Sequence, residues 1–126
     1  MKHFLVLSIL TFFLSSLKVN TGIDEVVAAM RSGNSTLIAK YFDDRVDLSM
    51  PDKSNTYSKI QAELVLKEFF TNNPVKKFEI IHKGENAGSQ FCIGTLYTKN
   101  GSFRTTIFMK QKGDGQLLQE LRFENR

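Results

Sequence analysis

Beyond residue 20, the apolar residues of the chain first follow the spacing i, i+3, i+4, i+7, which predicts an amphipathic helix. The residues in this spacing are Ile23, Val26, Val27 and Met30. Gly33 is a natural end for this helix. Asn34 or Ser35 then predicts the cap of a second short helix.

A short strand and a third helix are predicted next. Apolar residues alternate with polar ones from Val46 to Met50, which is typical of a strand, and Pro51 ends it. The polar stretch D-K-S-N-T is expected to be a loop. Ser58 and Gln61 form a capping box for the third helix. Its apolar side is expected to comprise Ile60, Leu64, Val65, Phe69 and Phe70.

The remainder of the chain predicts four strands, at about 75–84, 89–99, 102–112 and 116–124. Asn100-Gly101 is the strongest short-range hairpin signal available, and it predicts a register in which opposite residues sum to about 201. A three-residue turn at Gly113 to Gly115 would make the next pairing sum to about 228.

These registers separate two faces of the sheet, because successive side chains of a strand point to opposite sides. On the last strand, Leu117, Gln119 and Leu121 are predicted to face the helices, and Leu118 and Glu120 to face away. The register of strand 75–84 stays open, so His82 is compatible with either face.

Residues 1–20 are interpreted as a secretory signal peptide that precedes a single α+β domain at 21–126. Lys2 and His3 come before the apolar run F-L-V-L-S-I-L-T-F-F-L, which is followed by small polar residues. The run is shorter than the roughly 20 residues of a spanning helix. We therefore expect export to the periplasm of a Gram-negative bacterium or secretion, with no membrane span after removal of the leader.

Charge and cysteine content exclude several classes of partner and cofactor. The net charge is +4, and removal of Lys2 and Lys18 leaves 4 − 2 = +2, with charges interspersed, so nucleic-acid binding is not expected. A single cysteine cannot form an internal disulfide. With two histidines, one of them in the leader, no metal site is expected, and the sequence predicts no cofactor.

The order helix, helix, short strand, helix and antiparallel strands resembles that of nuclear transport factor two-like proteins. The stretches that carry this resemblance are V-V-A-A-M-R-S-G-N-S-T-L-I-A-K-Y-F-D-D-R-V-D-L, Y-S-K-I-Q-A-E-L-V-L-K-E-F-F-T-N-N-P and F-C-I-G-T-L-Y-T-K-N-G-S-F-R. They are similar to a small family of exported bacterial domains of unknown function. The resemblance implies a cone-shaped α+β fold with three N-terminal helices packed on a curved, mainly antiparallel sheet. It supplies no catalytic residues.

Three features carry candidate chemistry, and each also has an ordinary structural interpretation. Asp43, Asp44 and Asp47 are close enough to be paired carboxylates, but their positions favour a solvated connection between helix and strand. Cys92 has apolar predicted neighbours, so a buried core residue is favoured over a nucleophile.

His82 is the third candidate, as a base that acts with a tyrosine. Isomerases and dehydratases of the similar fold use an Asp or His base and tyrosine hydroxyls inside the cone. By this resemblance His82 would be the base, and Tyr41 or Tyr57 the hydrogen-bond donor.

Two apolar sets are more suggestive. The interior set either fills the space between helices and sheet or leaves a ligand-sized cavity; its members are Tyr41, Phe42, Leu48, Phe69, Phe70, Ile107, Met109, Leu121 and Phe123. The outward set is too apolar for a free sheet face and predicts a homodimer; its members are Phe91, Ile93, Tyr97 and Phe108.

Together these features favour an exported, non-catalytic domain that binds a small apolar ligand or a protein partner. The alternative is an isomerase-like or dehydratase-like enzyme that uses His82 and a tyrosine.

Overall fold

The structure is a computed structural model that describes residues 22–126, so the predicted signal peptide lies outside the described residues. This part of the chain forms three helices and six strands. In chain order they are α1 (Gly22–Arg31), α2 (Ser35–Ala39), β1 (Phe42–Ser49), β2 (Ser54–Ser58), α3 (Lys59–Asn72), β3 (Val75–Asn86), β4 (Ser89–Thr98), β5 (Gly101–Lys112) and β6 (Gly115–Asn125). Only α1 and α2 precede the sheet, because α3 lies between β2 and β3.

The six strands form one sheet in the order β2-β1-β6-β5-β4-β3. All neighbours are antiparallel except β1 and β6, which are parallel. The predicted α+β class with a mainly antiparallel sheet is therefore confirmed. Within residues 22–126, no helix is both long enough and apolar enough to cross a bilayer.

The helix caps agree with the sequence. The side chain of Asn34 accepts a hydrogen bond from the backbone N–H of Leu37, and the hydroxyl of Ser58 accepts one from Gln61. These contacts satisfy N–H groups that the first turn of a helix leaves without partners.

The predicted apolar side of α3 is partly wrong. Ile60 is 75% exposed and Leu64 is 62% exposed. The buried stripe contains Ala62 and Leu66 instead, together with the expected aromatic residues near the end of the helix. The helix is therefore rotated relative to the prediction, so that Ala62 and Leu66 lie on its buried side.

Residues 54–56 of the predicted loop D-K-S-N-T lie in a strand, β2. β2 pairs with β1, and the Thr56 hydroxyl donates to the Asp47 carboxylate at 2.6 Å. β2 is a short, polar strand at an edge of the sheet, and such edge strands discourage pairing with other chains. Because its residues are polar, the sequence of β2 carries little strand signal.

The β4–β5 hairpin differs from prediction by two residues. Thr98 pairs with Gly101, so opposite residues sum to 98 + 101 = 199, and the loop is Lys99-Asn100. The Thr98 hydroxyl holds this turn, because it donates to the Gly101 carbonyl and accepts from the Asn100 N–H. A shift of two leaves every side chain on its predicted face.

The β5–β6 pairing has the predicted sum of 228 at Arg104 and Glu124 (104 + 124), but a β-bulge after Phe108 changes the sum to 227 at Met109 and Leu118 (109 + 118). Leu118 is consequently fully buried, which corrects its predicted outward position. A bulge inserts one residue and reverses the alternation beyond it.

Candidate functional site

Most of the predicted interior set lies in the hydrophobic core. Eight of its nine members are buried, and Tyr41 is half-buried against the same core. Under α3 the space is filled by aromatic rings, since Phe69 stacks on Phe123 with centroids 4.5 Å apart and meets Phe103 edge-on at 5.2 Å. This part of the interior is a packed core.

Open space remains at two ends of the sheet. At the end of α3, a groove of about 330 Å³ has Met50, Phe69 and Phe103 among its walls. At the beginning of α1, a larger cavity of about 480 Å³ lies between the helix and the ends of β4, β5 and β6. We call the second space the amide cavity; its walls include Gly22, Tyr41, Gln90, Asp114, Gln116 and Leu117.

Two glutamines that line the amide cavity each have a buried side-chain oxygen that lacks a hydrogen bond. The Oε1 atoms of Gln90 and Gln116 are buried, and within residues 22–126 neither has a partner. Gln90 as a whole is only 7% exposed. The Nε2 of Gln116 donates to the Gly88 carbonyl at 3.5 Å, which directs its oxygen away from that carbonyl. A buried acceptor without a donor costs about 1–3 kcal/mol, so these two atoms call for an explanation.

The wall formed by α1 comes close to the sheet at Gly22. A Cβ at this position would lie 3.1 Å from Cβ of Gln116, 3.2 Å from Cε of Met109 and 3.6 Å from Cδ1 of Tyr41. Tyr41 is itself fixed, because its carbonyl accepts a 2.6 Å hydrogen bond from the Leu118 N–H. Two predicted interior residues, Tyr41 and Met109, thus both lie close to Gly22.

Neither Gln90 nor Gln116 was identified from the sequence. Gln90 follows the same alternation as Cys92 and Leu96, so it is a polar residue at an inward position of β4. That signal was available. Gln116 lies beyond the β6 bulge, where the alternation could not be extrapolated.

The predicted catalytic group is not assembled. His82 is exposed and pairs with Ile93, which places it on the outer face of the sheet, with its ring 5.3 Å from that of Phe91. Tyr57 pairs with Val46 on the opposite edge of the sheet, and Tyr41 lies at the amide cavity. The three side chains therefore occupy three different places.

Cys92 is fully buried in the core, and burial raises the pKa of its thiol. A raised pKa keeps the sulfur protonated and unreactive. Within residues 22–126, no cluster of His, Cys, Asp or Glu side chains is arranged to hold a metal ion.

The acidic segment is only partly solvated, which corrects the interpretation of Asp43. Asp44 and Asp47 are exposed, but Asp43 is 8% exposed. Its carboxylate accepts hydrogen bonds from Lys112 at 2.8 Å and from the Gln119 amide at 2.7 Å. The hydrogen bond from Lys112 lowers the pKa of Asp43 and raises that of Lys112. The ion pair joins β1 to the end of β5, and the Gln119 hydrogen bond joins β1 to β6.

A lowered carboxyl pKa predicts loss of stability in acid. The contribution of Asp43 is present above its unfolded-state pKa and is lost as pH falls through its folded-state pKa. For Lys112 the sign is opposite: its contribution is lost as pH rises through its raised pKa. We expect Lys112→Met to lower the urea midpoint at neutral pH and to reduce its change between neutral and acid pH. Lys110→Met, on the same strand, is the control; an equal effect of both variants would contradict the assignment.

The predicted dimer set lies on the outer face of the sheet. Phe91 and Phe108 are directly opposite one another on β4 and β5, which replaces the predicted pairing of Ile93 with Phe108. All four members of the set are half-buried. Lys77 covers part of Tyr97, with its ammonium 4.7 Å from the ring centroid.

Comparison with known proteins identifies the family. Residues 23–124 match the family described as a domain of unknown function, DUF4783. The chain belongs to this family. The resemblance to an unknown-function family with the nuclear transport factor two-like fold is thereby confirmed. No curated protein matches this chain.

Solved DUF4783 proteins have the same fold. One from Bacteroides uniformis is 34% identical, with a TM-score of 0.79 over 82% of this chain and 95% of its own. One from Bacteroides ovatus is 35% identical, with a TM-score of 0.78 over 81% of this chain and 93% of its own. An NTF2-like protein of unknown function from Cytophaga hutchinsonii is 10% identical, with a TM-score of 0.61 over 87% and 95%, and shows the fold alone.

Proposed function

We propose that this DUF4783 chain is an exported, non-catalytic binding domain that takes a small amphipathic molecule in the amide cavity. The observation that supports this is that Gln90 and Gln116, which both line the cavity, each have a buried side-chain oxygen without a hydrogen-bond partner. A buried acceptor without a partner destabilises the folded protein, and its presence is explained if a bound ligand supplies the missing donor.

The cavity favours a ligand with a hydrogen-bond donor at one end and a short apolar part. The terminal torsion of a glutamine side chain is broad, so these amide groups can change orientation when a donor approaches. Tyr41 and Leu117 provide the apolar walls, and the carboxylate of Asp114 adds a further acceptor at the rim. Amide or primary ammonium groups fit such acceptors. The sequence predicted a small apolar ligand or a protein partner; we propose instead a small ligand that is only partly apolar.

Gln90→Met is expected to raise the stability of the unliganded protein while abolishing ligand binding. The substitution removes the unpartnered oxygen at similar volume, so the unliganded protein should gain about 1 kcal/mol of stability. It should lose any ligand, as seen by native mass spectrometry of protein purified from its own cell envelope. A panel of small aliphatic amides and amines should raise the Tm of the wild type and not that of the variant.

Gln61→Met is the matched control, because Gln61 is exposed on α3. It should keep both the ligand and the Tm response. If Gln90→Met destabilises the protein and no retained or added molecule responds to it, then the amide has a structural role and the proposal is wrong.

We do not propose catalysis by His82 with a tyrosine, because His82 lies on the outer face of the sheet while Tyr41 lies at the amide cavity. Export is part of the proposal, on the basis of the charged start and apolar run of residues 1–20. Intact mass of protein from native cells should lack the leader; retention of Met1 to Ser16 would contradict export.

We also propose that two copies pair through the outer face of the sheet. Supporting this, Phe91 and Phe108 stand side by side, with Ile93 and Tyr97 on the same face. Phe108→Glu should convert a dimer into a monomer in light scattering at micromolar concentration, because it places a charge in an apolar interface. Leu64→Glu, an exposed apolar residue on α3, should leave the dimer intact. A monomeric wild type would refute pairing.

A further inference from the structure

The β4–β5 turn is attached to the end of α3 by hydrogen bonds from its two loop residues. The Lys99 N–H donates to the Pro74 carbonyl at 2.9 Å. The side-chain Nδ2 of Asn100 donates to the carbonyl of Asn72, the last residue of α3, at 2.5 Å. The final carbonyls of a helix have no partner within the helix, so Asn100 acts as a cap supplied by a distant turn.

Asn100 is also followed by a residue that leaves its backbone unhindered. Gly101 has no side chain, and within 4 Å of the place where a Cβ would stand there is no other atom. Both Asn100 and Gly101 are exposed at the tip of the hairpin. Water and base therefore reach the surface of this Asn-Gly pair.

We propose that Asn100 is a site of spontaneous deamidation that releases the β4–β5 turn from α3. The backbone nitrogen of Gly101, after losing its proton to base, attacks Cγ of Asn100. The C–N bond to the side-chain amide breaks, and ammonia leaves with a proton from water, which gives a cyclic succinimide. Water then opens either carbonyl of the ring and yields aspartate or isoaspartate. Water is the only co-reactant, and no electrons are transferred.

Either product removes the cap. Aspartate replaces the donor with a carboxylate that faces the Asn72 carbonyl at the negative end of the α3 dipole, where an anion is unfavourable. Isoaspartate lengthens the main chain inside a two-residue turn and so disturbs the pairing of Thr98 with Gly101. The last turn of α3 carries Phe69 and Phe70, so the modification acts on the aromatic core.

Peptide mapping of the folded full-length protein, kept in mildly alkaline buffer, tests the first half of the proposal. Conversion at Asn100 should exceed that at Asn34, Asn55 and Asn86. Asn73 is an internal control, because the nitrogen of Pro74 has no proton to lose. If Asn100 keeps its amide in the folded protein but loses it in urea, the hydrogen bond to Asn72 protects it and the proposal is overturned.

Two variants test the consequence. Asn100→Ala removes the donor, and Asn100→Asp removes it and adds the charge of the product. We expect Asn100→Asp to lower the Tm more than Asn100→Ala, and protein aged to aspartate at this position to match Asn100→Asp. Equal Tm values for the two variants would show that the charge has no effect on α3 and would refute the release.

Discussion

Gly94→Ala is expected to destabilise the protein by about 3 kcal/mol. A Cβ at this position would lie 2.5 Å from Cζ of Phe78 and 2.6 Å from the carbonyl oxygen of Glu79. The ring of Phe78 lies against β4 at this point, and the carbonyl of Glu79 belongs to the backbone of β3. Moving either group would therefore require a shift of the packed sheet. The free energy of unfolding in urea, compared with wild type, measures the effect.

Gly115→Ala is the control for this experiment, since a Cβ there meets no atom within 4 Å. Its free energy of unfolding should remain within about 0.5 kcal/mol of wild type. A mild effect of Gly94→Ala would mean that β3 is free to move away from β4, and the close packing of Phe78 on Gly94 would then be wrong.

Phe123→Ala is expected to cost about 4 kcal/mol. Phe123 is fully buried on β6, stacks on Phe69 and meets Phe70 edge-on at 6.3 Å, so its removal leaves a cavity between α3 and the sheet. Urea unfolding monitored by far-ultraviolet circular dichroism would give the loss directly.

Ile60→Ala provides the comparison, because Ile60 is an apolar residue of α3 that is 75% exposed. Its effect should remain within about 0.5 kcal/mol. If Phe123→Ala were equally mild, the space under α3 would be loosely filled, and the interior set would line a second cavity rather than a core.

The elements and the two faces of β4 and β5 were predictable because they depend on local signals. Caps at Asn34 and Ser58 and the alternation from Cys92 to Leu96 each act within a few residues. The predicted pairing of β4 with β5 was wrong by two residues, but a shift of two leaves each side chain on its predicted face of the sheet.

The deviations arise from contacts that join distant parts of the chain. β2 is a strand because β1 offers it an edge, and Asp43 is buried because Lys112 and Gln119 approach it from β5 and β6. The bulge after Phe108 decides the orientation of Leu118 and has no clear signature in the sequence. Gln90 was visible as a polar residue at an inward position, but its missing hydrogen bond becomes apparent only when its neighbours are placed.

The position of β6 has a consequence for the order of events during synthesis. β6 is the last strand, yet it lies between β1 and β5 and is the only strand that joins the β1–β2 pair to the β3–β5 meander within the described residues. Until β6 leaves the ribosome, no strand pairing joins these two parts of the sheet, and Leu118, Leu121 and Phe123 are missing from the core. Domains fold as units once their long-range pairings can form. We therefore expect the domain to stay unfolded until β6 has been synthesised.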